Sequence, residues 1–325
     1  MSKTGNNRCV VTGGAGFIGS ELVRGILATG EQQVTVVDNL LTGHLRNLTE
    51  LGNQVDFRDV DIRDYDATLR ALQGSEKVFH LAAIPSVPRS IKDPVPSHEC
   101  NIDGTFNVLR AAKEAGVQRV IYAASSSAYG DTDVLPKTES MTPRPKSPYA
   151  LQKLVGEYYC NLFYASFGLE TVGLRFFNVY GPRQDPSSPY SGVLSIFMRS
   201  ILEETAPTIH GDGNQTRDFT YVEDVVGLLL KASKAGQQAL GNTYNAGNGG
   251  RFTLNEIWET LQDLTGVRIP AQYTAPREGD VRDSQADTTA AVRDLGHAPQ
   301  FTLEEGLRRT FAWYQENARV EAATH

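Results

Sequence analysis

Tyr149 and Lys153 stand four residues apart in the run Tyr149-Ala150-Leu151-Gln152-Lys153, a spacing that puts both on one face of a helix, a turn from each other. An ammonium beside a phenol favours the phenolate and draws the tyrosine pKa toward neutrality. Such a phenolate can take a proton from a substrate hydroxyl while hydride leaves the same carbon. A tyrosine–lysine pair of this kind is common on protein surfaces. What sets this one apart is the serine run Ser125-Ser126-Ser127, which ends a β-branched stretch some two dozen residues upstream. In a doubly wound sheet that strand end faces the crevice where a cofactor binds.

A second pattern supplies the cofactor. Gly13-Gly14-Ala15-Gly16-Phe17-Ile18-Gly19 follows one strand-like run and opens a helical one. Glycines there permit a tight turn and close backbone approach, and a helix N-terminus offers free N–H groups and positive dipole to a pyrophosphate. The second strand ends at Asp38, about 20 residues beyond the last glycine of the pattern, where a carboxylate accepts from both adenosine ribose hydroxyls and repels a 2′-phosphate. The expected cofactor is NAD rather than NADP, held by Gly13, Gly16, Phe17, Ile18 and Gly19, with Asp38 and its neighbour Asn39 at the ribose. Asp61-Ile62, past a third strand, is suited to clasp adenine. A bound nicotinamide is cationic and adds to Lys153 in favouring the Tyr149 phenolate.

These side chains need a frame. Arg8–Thr12, Gln33–Asp38, Lys77–Leu81, Val117–Ala123 and Leu169–Arg175 read as buried strands, alternating with helices near Phe17–Thr29, Asp64–Leu72, Asn101–Ala115 and Tyr149–Phe167. Gly30, Gly116 and Gly168 sit where left-handed residues close helices. Such alternation predicts a Rossmann-type doubly wound parallel α/β sheet. After Gly181 the Pro/Ser/Gly-rich stretch GPRQDPSSPYSG leaves the sheet. Two helices follow, near Thr253–Thr265 and Leu303–Glu316, separated by a polar segment with Arg277, Asp280, Arg282 and Asp283. The expected organisation is a cofactor domain over 1–177, rejoined by part of about 215–248, and a smaller mixed α/β substrate-binding portion over 178–325.

Composition narrows the function classes. Of 325 residues 40% are hydrophobic and 21% charged, with 31 Lys+Arg against 38 Asp+Glu, a net charge of -7. A nucleic-acid partner would need a basic excess. No apolar run nears the roughly 18 residues of a membrane span, and the polar opening MSKTGNNR does not read as a signal peptide. Cys9, Cys100 and Cys160 are scattered and lack metal-ligand spacing, which fits reduced thiols in a cytoplasmic protein without a metal.

Taken together, Gly13–Gly19, Ser125–Ser127 before Tyr129-Gly130, and Tyr149/Lys153 resemble the extended short-chain dehydrogenase/reductase family. His80-Leu81-Ala82-Ala83 resembles the family's motif on the nicotinamide side, Asn101-Ile102-Asp103-Gly104-Thr105 its structural Asn motif, and Arg175-Phe176-Phe177-Asn178 with Tyr180-Gly181-Pro182 its sugar-nucleotide signature. Arg217–Val225 is similar to its diphosphate-binding element. Within the family AAIPSVPRS, YAASSSAYGD and RQDPSSPYSGV point to the UDP-hexose 4-epimerases, especially those acting on N-acetylated sugars.

The resemblance implies roles. Tyr149 is the acid/base, Lys153 lowers its pKa and holds the nicotinamide ribose, and Ser125 partners the sugar O4, with Ser126 next in register. Leu81, Ala82, Ala83, Asn101 and Phe176 join the cofactor surface, which holds NAD tightly and recycles it. Asn178, Arg217 and Arg277 hold the UDP diphosphate, and Ser86, Ser127, Val193 and Asp280 complete the substrate surface. Ser284 matches a size-determining position near C2 of the hexose, where a small side chain admits an N-acetyl group; an ordinary loop serine is the competing reading. Ser126-Ser127 stand where the family's dehydratases carry an Asp-Glu pair, so elimination lacks its acid and base. Decarboxylases use a different loop after His-Leu-Ala. Arg89 either meets solvent or meets a C6 carboxylate, which keeps a UDP-glucuronate 4-epimerase as the alternative. A catalytically silent NAD sensor is the remote one, since such proteins usually lose the Tyr/Lys pair. The helices Asn101–Ala115 and Tyr149–Phe167 resemble the pair that forms a homodimer's four-helix interface, though their apolar residues could equally pack inside the subunit.

Overall fold

Short runs such as CVVT and VTVVD are apolar at consecutive positions, so a strand made from them must be covered on both faces. The computed structural model, which describes residues 8–31, 33–185, 192–276 and 281–323, shows this arrangement. The strands β1 (Cys9–Thr12), β2 (Val34–Asp38), β3 (Val55–Asp59), β4 (Lys77–His80), β5 (Arg119–Ser125) and β6 (Glu170–Phe176) are followed by β7 (Asn178–Tyr180), β8 (Thr208–His210), β9 (Thr216–Arg217), β10 (Phe219–Tyr221), β11 (Thr243–Ala246), β12 (Phe252–Thr253) and β13 (Gln272–Thr274). Seven of them form one parallel sheet in the order β11-β6-β5-β4-β1-β2-β3. Between β1 and β4 the winding reverses, which opens a crevice at the carboxyl ends of the strands.

Helices α1 (Phe17–Ala28), α2 (Tyr65–Leu72), α3 (Val87–Lys92), α4 (Pro94–His98), α5 (Thr105–Glu114), α6 (Pro148–Phe167), α7 (Val193–Leu202), α8 (Val222–Ala232), α9 (Leu254–Thr265), α10 (Thr289–Leu295) and α11 (Leu303–Ala323) cover and extend this sheet. Alternation along each strand sends Val11 and Val36 to one layer, against Leu22, Val23 and Ile26 of α1 and Val225 and Leu229 of α8. Val10 and Val37 face the other layer, against Leu72 of α2, Val108 and Leu109 of α5 and Phe163 of α6. A separate core joins Phe197 of α7, Trp258 of α9 and Leu307 of α11 to Tyr221 of β10. Three two-stranded sheets, β10–β7, β12–β9 and β13–β8, accompany it. Although β11 lies far along the chain, it returns to pair with β6.

The doubly wound sheet and the mixed smaller portion are as expected, with most anticipated elements within a residue or two of their bounds, although the helix expected to end at Glu316 runs on to Ala323. The helix expected over Asn101–Ala115 is different. A π-helical turn at Glu99–Gly104 precedes α5. Its register shift turns Asn101 inward, where Oδ1 accepts from Ile84 N–H at 2.8 Å and Nδ2 donates to Gln152 Oε1 at 2.9 Å. Helices α3, α4, α7, α8 and α10 also lie outside the expected set. For α7 the signal was present: Leu194, Phe197, Met198 and Ile201 recur at helical spacing and are all buried.

Candidate active site

One cavity of about 820 Å³ runs along the carboxyl ends of β1, β2, β4, β5 and β6 and on toward β9. At its floor the chain turns from β1 into α1. Gly13, at φ 72°, donates its N–H to Val37 O at 2.8 Å. A Cβ there would stand 2.6 Å from Ala82 N, and one on Gly19 would stand 2.1 Å from Gly13 O. Only bare backbone lets α1 begin this close to β1 and to the segment after β4. Gly16 caps α1 without a side-chain hydrogen bond, and the first turn carries no acidic residue. Its N–H groups are therefore left to an anion, which is the chemistry a dinucleotide pyrophosphate needs. At the end of β2, Asp38 Oδ2 accepts from Ala15 N–H at 3.0 Å and Oδ1 from Leu40 N–H at 2.8 Å. Burial pushes its carboxyl pKa up, and these two donors pull it back. Asn39 Nδ2 donates to Asp61 Oδ2 at 3.0 Å, so the two adenosine-side residues form one edge. Arg63 grips Asp61 through Nε and Nη2 (3.0 and 2.7 Å) and helps hold its carboxyl below the usual range. The residues fit NAD.

The reacting end is built on α6. Ser147 caps this helix, accepting from Ala150 N–H at 3.2 Å, with Pro148 at its start. Tyr149 and Lys153 thus project from its first two turns into the cavity. Lys153 Nζ donates to Ala123 O at 2.8 Å and lies 5.1 Å from the Tyr122 ring centroid. Burial lowers the ammonium pKa to about 8. Burial also raises the Tyr149 phenol, while a hydrogen bond with the Ser125 hydroxyl lowers it. Lys153 is not among the groups that act on the Tyr149 phenol in the chain alone. In the chain alone desolvation outweighs the Ser125 hydroxyl, and Lys153 directs a proton to a carbonyl. Of the three serines, Ser125 is the one on the phenol. Its Oγ also lies 2.8 Å from Ser127 Oγ and accepts from Ser127 N–H, while Ser126 starts a 3₁₀ turn to Tyr129. His80 behind them is neutral, its pKa pushed down to about 3 by burial, and it bridges the Thr12 and Thr105 hydroxyls at 2.8 and 3.0 Å.

The cavity wall also carries Phe17, Ile18, Ile62, Leu81, Ala82, Ala83, Phe176, Ser86, Arg89, Asn178, Arg217 and Ser284. Ser86 caps α3 by accepting from Arg89 N–H. Arg217 Nη1 donates to Thr216 O and Arg282 O, both at 2.9 Å, which fixes the guanidinium at the rim. Buried Asp218 accepts from the N–H groups of Asn248, Gly249 and Ala286, pinning the loop that carries Ser284. Two expected contacts are not brought to the wall. Asn101 is spent as the brace described above, and Val193 opens α7 one residue beyond the lining Gly192. Arg277 and Asp280 lie outside the described residues. Lys137, 1% exposed, lines the cavity and donates to Gly130 O at 3.0 Å. A lone lysine in a polar loop gave no local signal for that.

Residues 9–247 match the model of the NAD dependent epimerase/dehydratase family. The UDP-glucose 4-epimerase of Mycolicibacterium smegmatis is 38% identical over 316 residues, covering 96% of this chain and 100% of that protein. The UDP-glucose 4-epimerase of Thermotoga maritima, solved with UDP-glucose, superposes with a TM-score of 0.91 at 38% identity, over 96% of this chain and 99% of that one. The UDP-N-acetylglucosamine 4-epimerase of Methanobrevibacter ruminantium, solved with UDP-N-acetylmuramic acid, gives 0.91 at 35% identity, over 96% and 99%. With its glycine cradle, its ribose carboxylate and its tyrosine–lysine pair along one cavity, this chain belongs to the NAD-dependent epimerase/dehydratase family, an extended branch of the short-chain dehydrogenases/reductases, and NAD is its cofactor.

Proposed function

We propose that the chain is a 4-epimerase of UDP-hexoses, interconverting UDP-GlcNAc with UDP-GalNAc and UDP-Glc with UDP-Gal through a 4-keto sugar. The observation that carries this reading is that Ser125, Tyr149 and Lys153 line one cavity, with Ser126 and Ser127 rather than an acid pair after Ser125. When bound, NAD takes the hydrogen at C4 with its electron pair and later returns it. Tyr149 Oη takes the O4 proton and gives it back, and Ser125 Oγ orients O4. The ammonium of Lys153, together with the cofactor's positive charge, works against the burial that raises the phenol pKa. Arg217 and Asn178, with Arg277, hold the diphosphate. Ser126 and Ser127 stand where elimination would need its acid and base, so the keto sugar keeps its oxygens and the proton returns to O4. Buried Ser284 leaves room beside C2.

Residues 1–177, with part of about 215–248, hold the cofactor in this reading, and 178–325 mainly the UDP-sugar. Phe106 on α5 and Leu151, Tyr158, Leu162 and Phe167 on α6 are exposed. An apolar face of this kind supports a homodimer. Three free thiols support a reducing cytoplasm. Arg89 on the cavity wall favours one second reading, a UDP-glucuronate 4-epimerase whose C6 carboxylate meets its guanidinium. UDP-Glc, UDP-GlcNAc and UDP-GlcA offered side by side to purified protein decide the matter. The expected result is isomerisation of the first two without net NADH. Preference for UDP-GlcA selects the second reading, stoichiometric NADH with an oxidised sugar overturns both, and an unchanged rate in Tyr149→Phe would leave only a cofactor-binding role.

A further inference from the structure

Glu157 continues the row that Tyr149 and Lys153 begin, again four residues on, so the three share the inward face of α6. Its side chain is 4% exposed and is met by Arg175 of β6, itself 6% exposed. Arg175 Nε lies 3.0 Å from Oε1 and Nη2 2.7 Å from Oε2. The same guanidinium sits 4.5 Å from the ring centroid of Tyr129, whose hydroxyl donates to Asn245 Oδ1 at 2.6 Å. Tyr129 ends the 3₁₀ turn that follows Ser125. One buried ion pair therefore ties the helix bearing Tyr149 and Lys153 to the turn bearing the serines.

The surroundings of Lys153 explain why a carboxylate is needed there. From α6 it faces Glu157 and Cys160, from β5 Tyr122, from β4 His80, and from the π-helical turn Cys100, with Arg175 of β6 behind Glu157. Burial holds the Cys100 thiol near 11, raises Cys160, Tyr122 and Tyr149, and keeps His80 uncharged. Glu157 is the only carboxylate in this set, and the bidentate Arg175 guanidinium pulls its pKa down against the larger upward push of burial. We propose that Glu157, clamped by Arg175, is a positioning residue that keeps Lys153 an ammonium during the reaction and fixes α6 against the serine turn. The proposal rests on the role given to Tyr149 and Lys153 above.

Two measurements test it, one of them independent of any substrate. Trace acetylation of the protein across pH, with the Lys153 peptide read by mass spectrometry, reports when this amine loses its proton. In Glu157→Gln the midpoint should fall by about one pH unit or more, and the alkaline limb of kcat/KM for UDP-Glc should move the same way. Because Glu157→Gln strands a buried guanidinium, Glu157→Gln/Arg175→Gln, which removes the pair as a unit, is measured beside it. A purely structural pair predicts that this double variant regains the wild-type midpoint and pH profile, and that result overturns the proposal. A midpoint that stays low in the double variant supports it. If acetylation shifts as expected while the wild-type chain epimerises no UDP-sugar, the coupling of Glu157 to Lys153 stands and the functional reading falls.

Discussion

Gly19→Ala tests the cofactor cradle most directly. A methyl at that position would stand 2.1 Å from Gly13 O and 2.8 Å from both Gly13 C and Gly14 Cα, all backbone atoms with no rotamer to change. Relief requires α1 to move away from the turn by about 1 Å, and overpacking of this kind costs about 1–3 kcal/mol. Alanine returns up to about 1 kcal/mol of helix propensity, so the folded chain should lose about 2 kcal/mol at most. NAD should lose more. The displaced N–H groups are those facing the pyrophosphate, and two charge-assisted hydrogen bonds weakened by about 1.5 kcal/mol each lower affinity by about 100-fold. Calorimetric titration with NAD measures this, while far-UV circular dichroism confirms the fold. Gly227→Ala is the control. That glycine lies within α8, a Cβ there would meet nothing within 4 Å, and the substitution should stabilise by up to about 1 kcal/mol with NAD affinity unchanged. A Gly19→Ala protein that stays folded and binds NAD within threefold of wild type would refute the reasoning.

Three further outcomes are expected. Ser284→Tyr should cut kcat/KM for UDP-GlcNAc by roughly tenfold or more while sparing UDP-Glc; equal losses on both would show that this serine does not gate C2. Leu162→Asp places a charge on the exposed α6 face, 49% open in the single chain, and should give a monomer in analytical ultracentrifugation, whereas an unchanged assembly places any interface elsewhere. His80 couples stability to acid. Its folded pKa of about 3 lies below the ordinary 6.5, so the unfolded chain binds the extra proton between those values and stability falls as pH drops through them. The loss approaches 4–5 kcal/mol by about pH 3, and the slope of denaturant stability against pH should flatten in His80→Gln if this histidine is its source.

Local sequence was enough for whatever depends on neighbours along the chain. A glycine pattern between strand and helix, a carboxylate at the next strand end and a tyrosine four residues before a lysine each specify geometry within one turn or one crossover. The sheet, the cofactor cradle and the facing of Tyr149 and Lys153 were all legible from them. Competition between distant groups was not. Whether Lys153 or burial governs the Tyr149 proton depends on how much water the fold excludes, and tertiary packing decides that. Asn101 could not be recognised as a brace before the π-helical turn placed it between Ile84 and Gln152, nor could Val193 be seen to stop one residue short of the cavity. Nor does any local pattern show that Glu157 meets Arg175 across a core, or that the Lys137 ammonium is buried beneath Gly130. Such pairings arise only when separate strands and helices close on one another, and the desolvation they impose sets the charge each group carries.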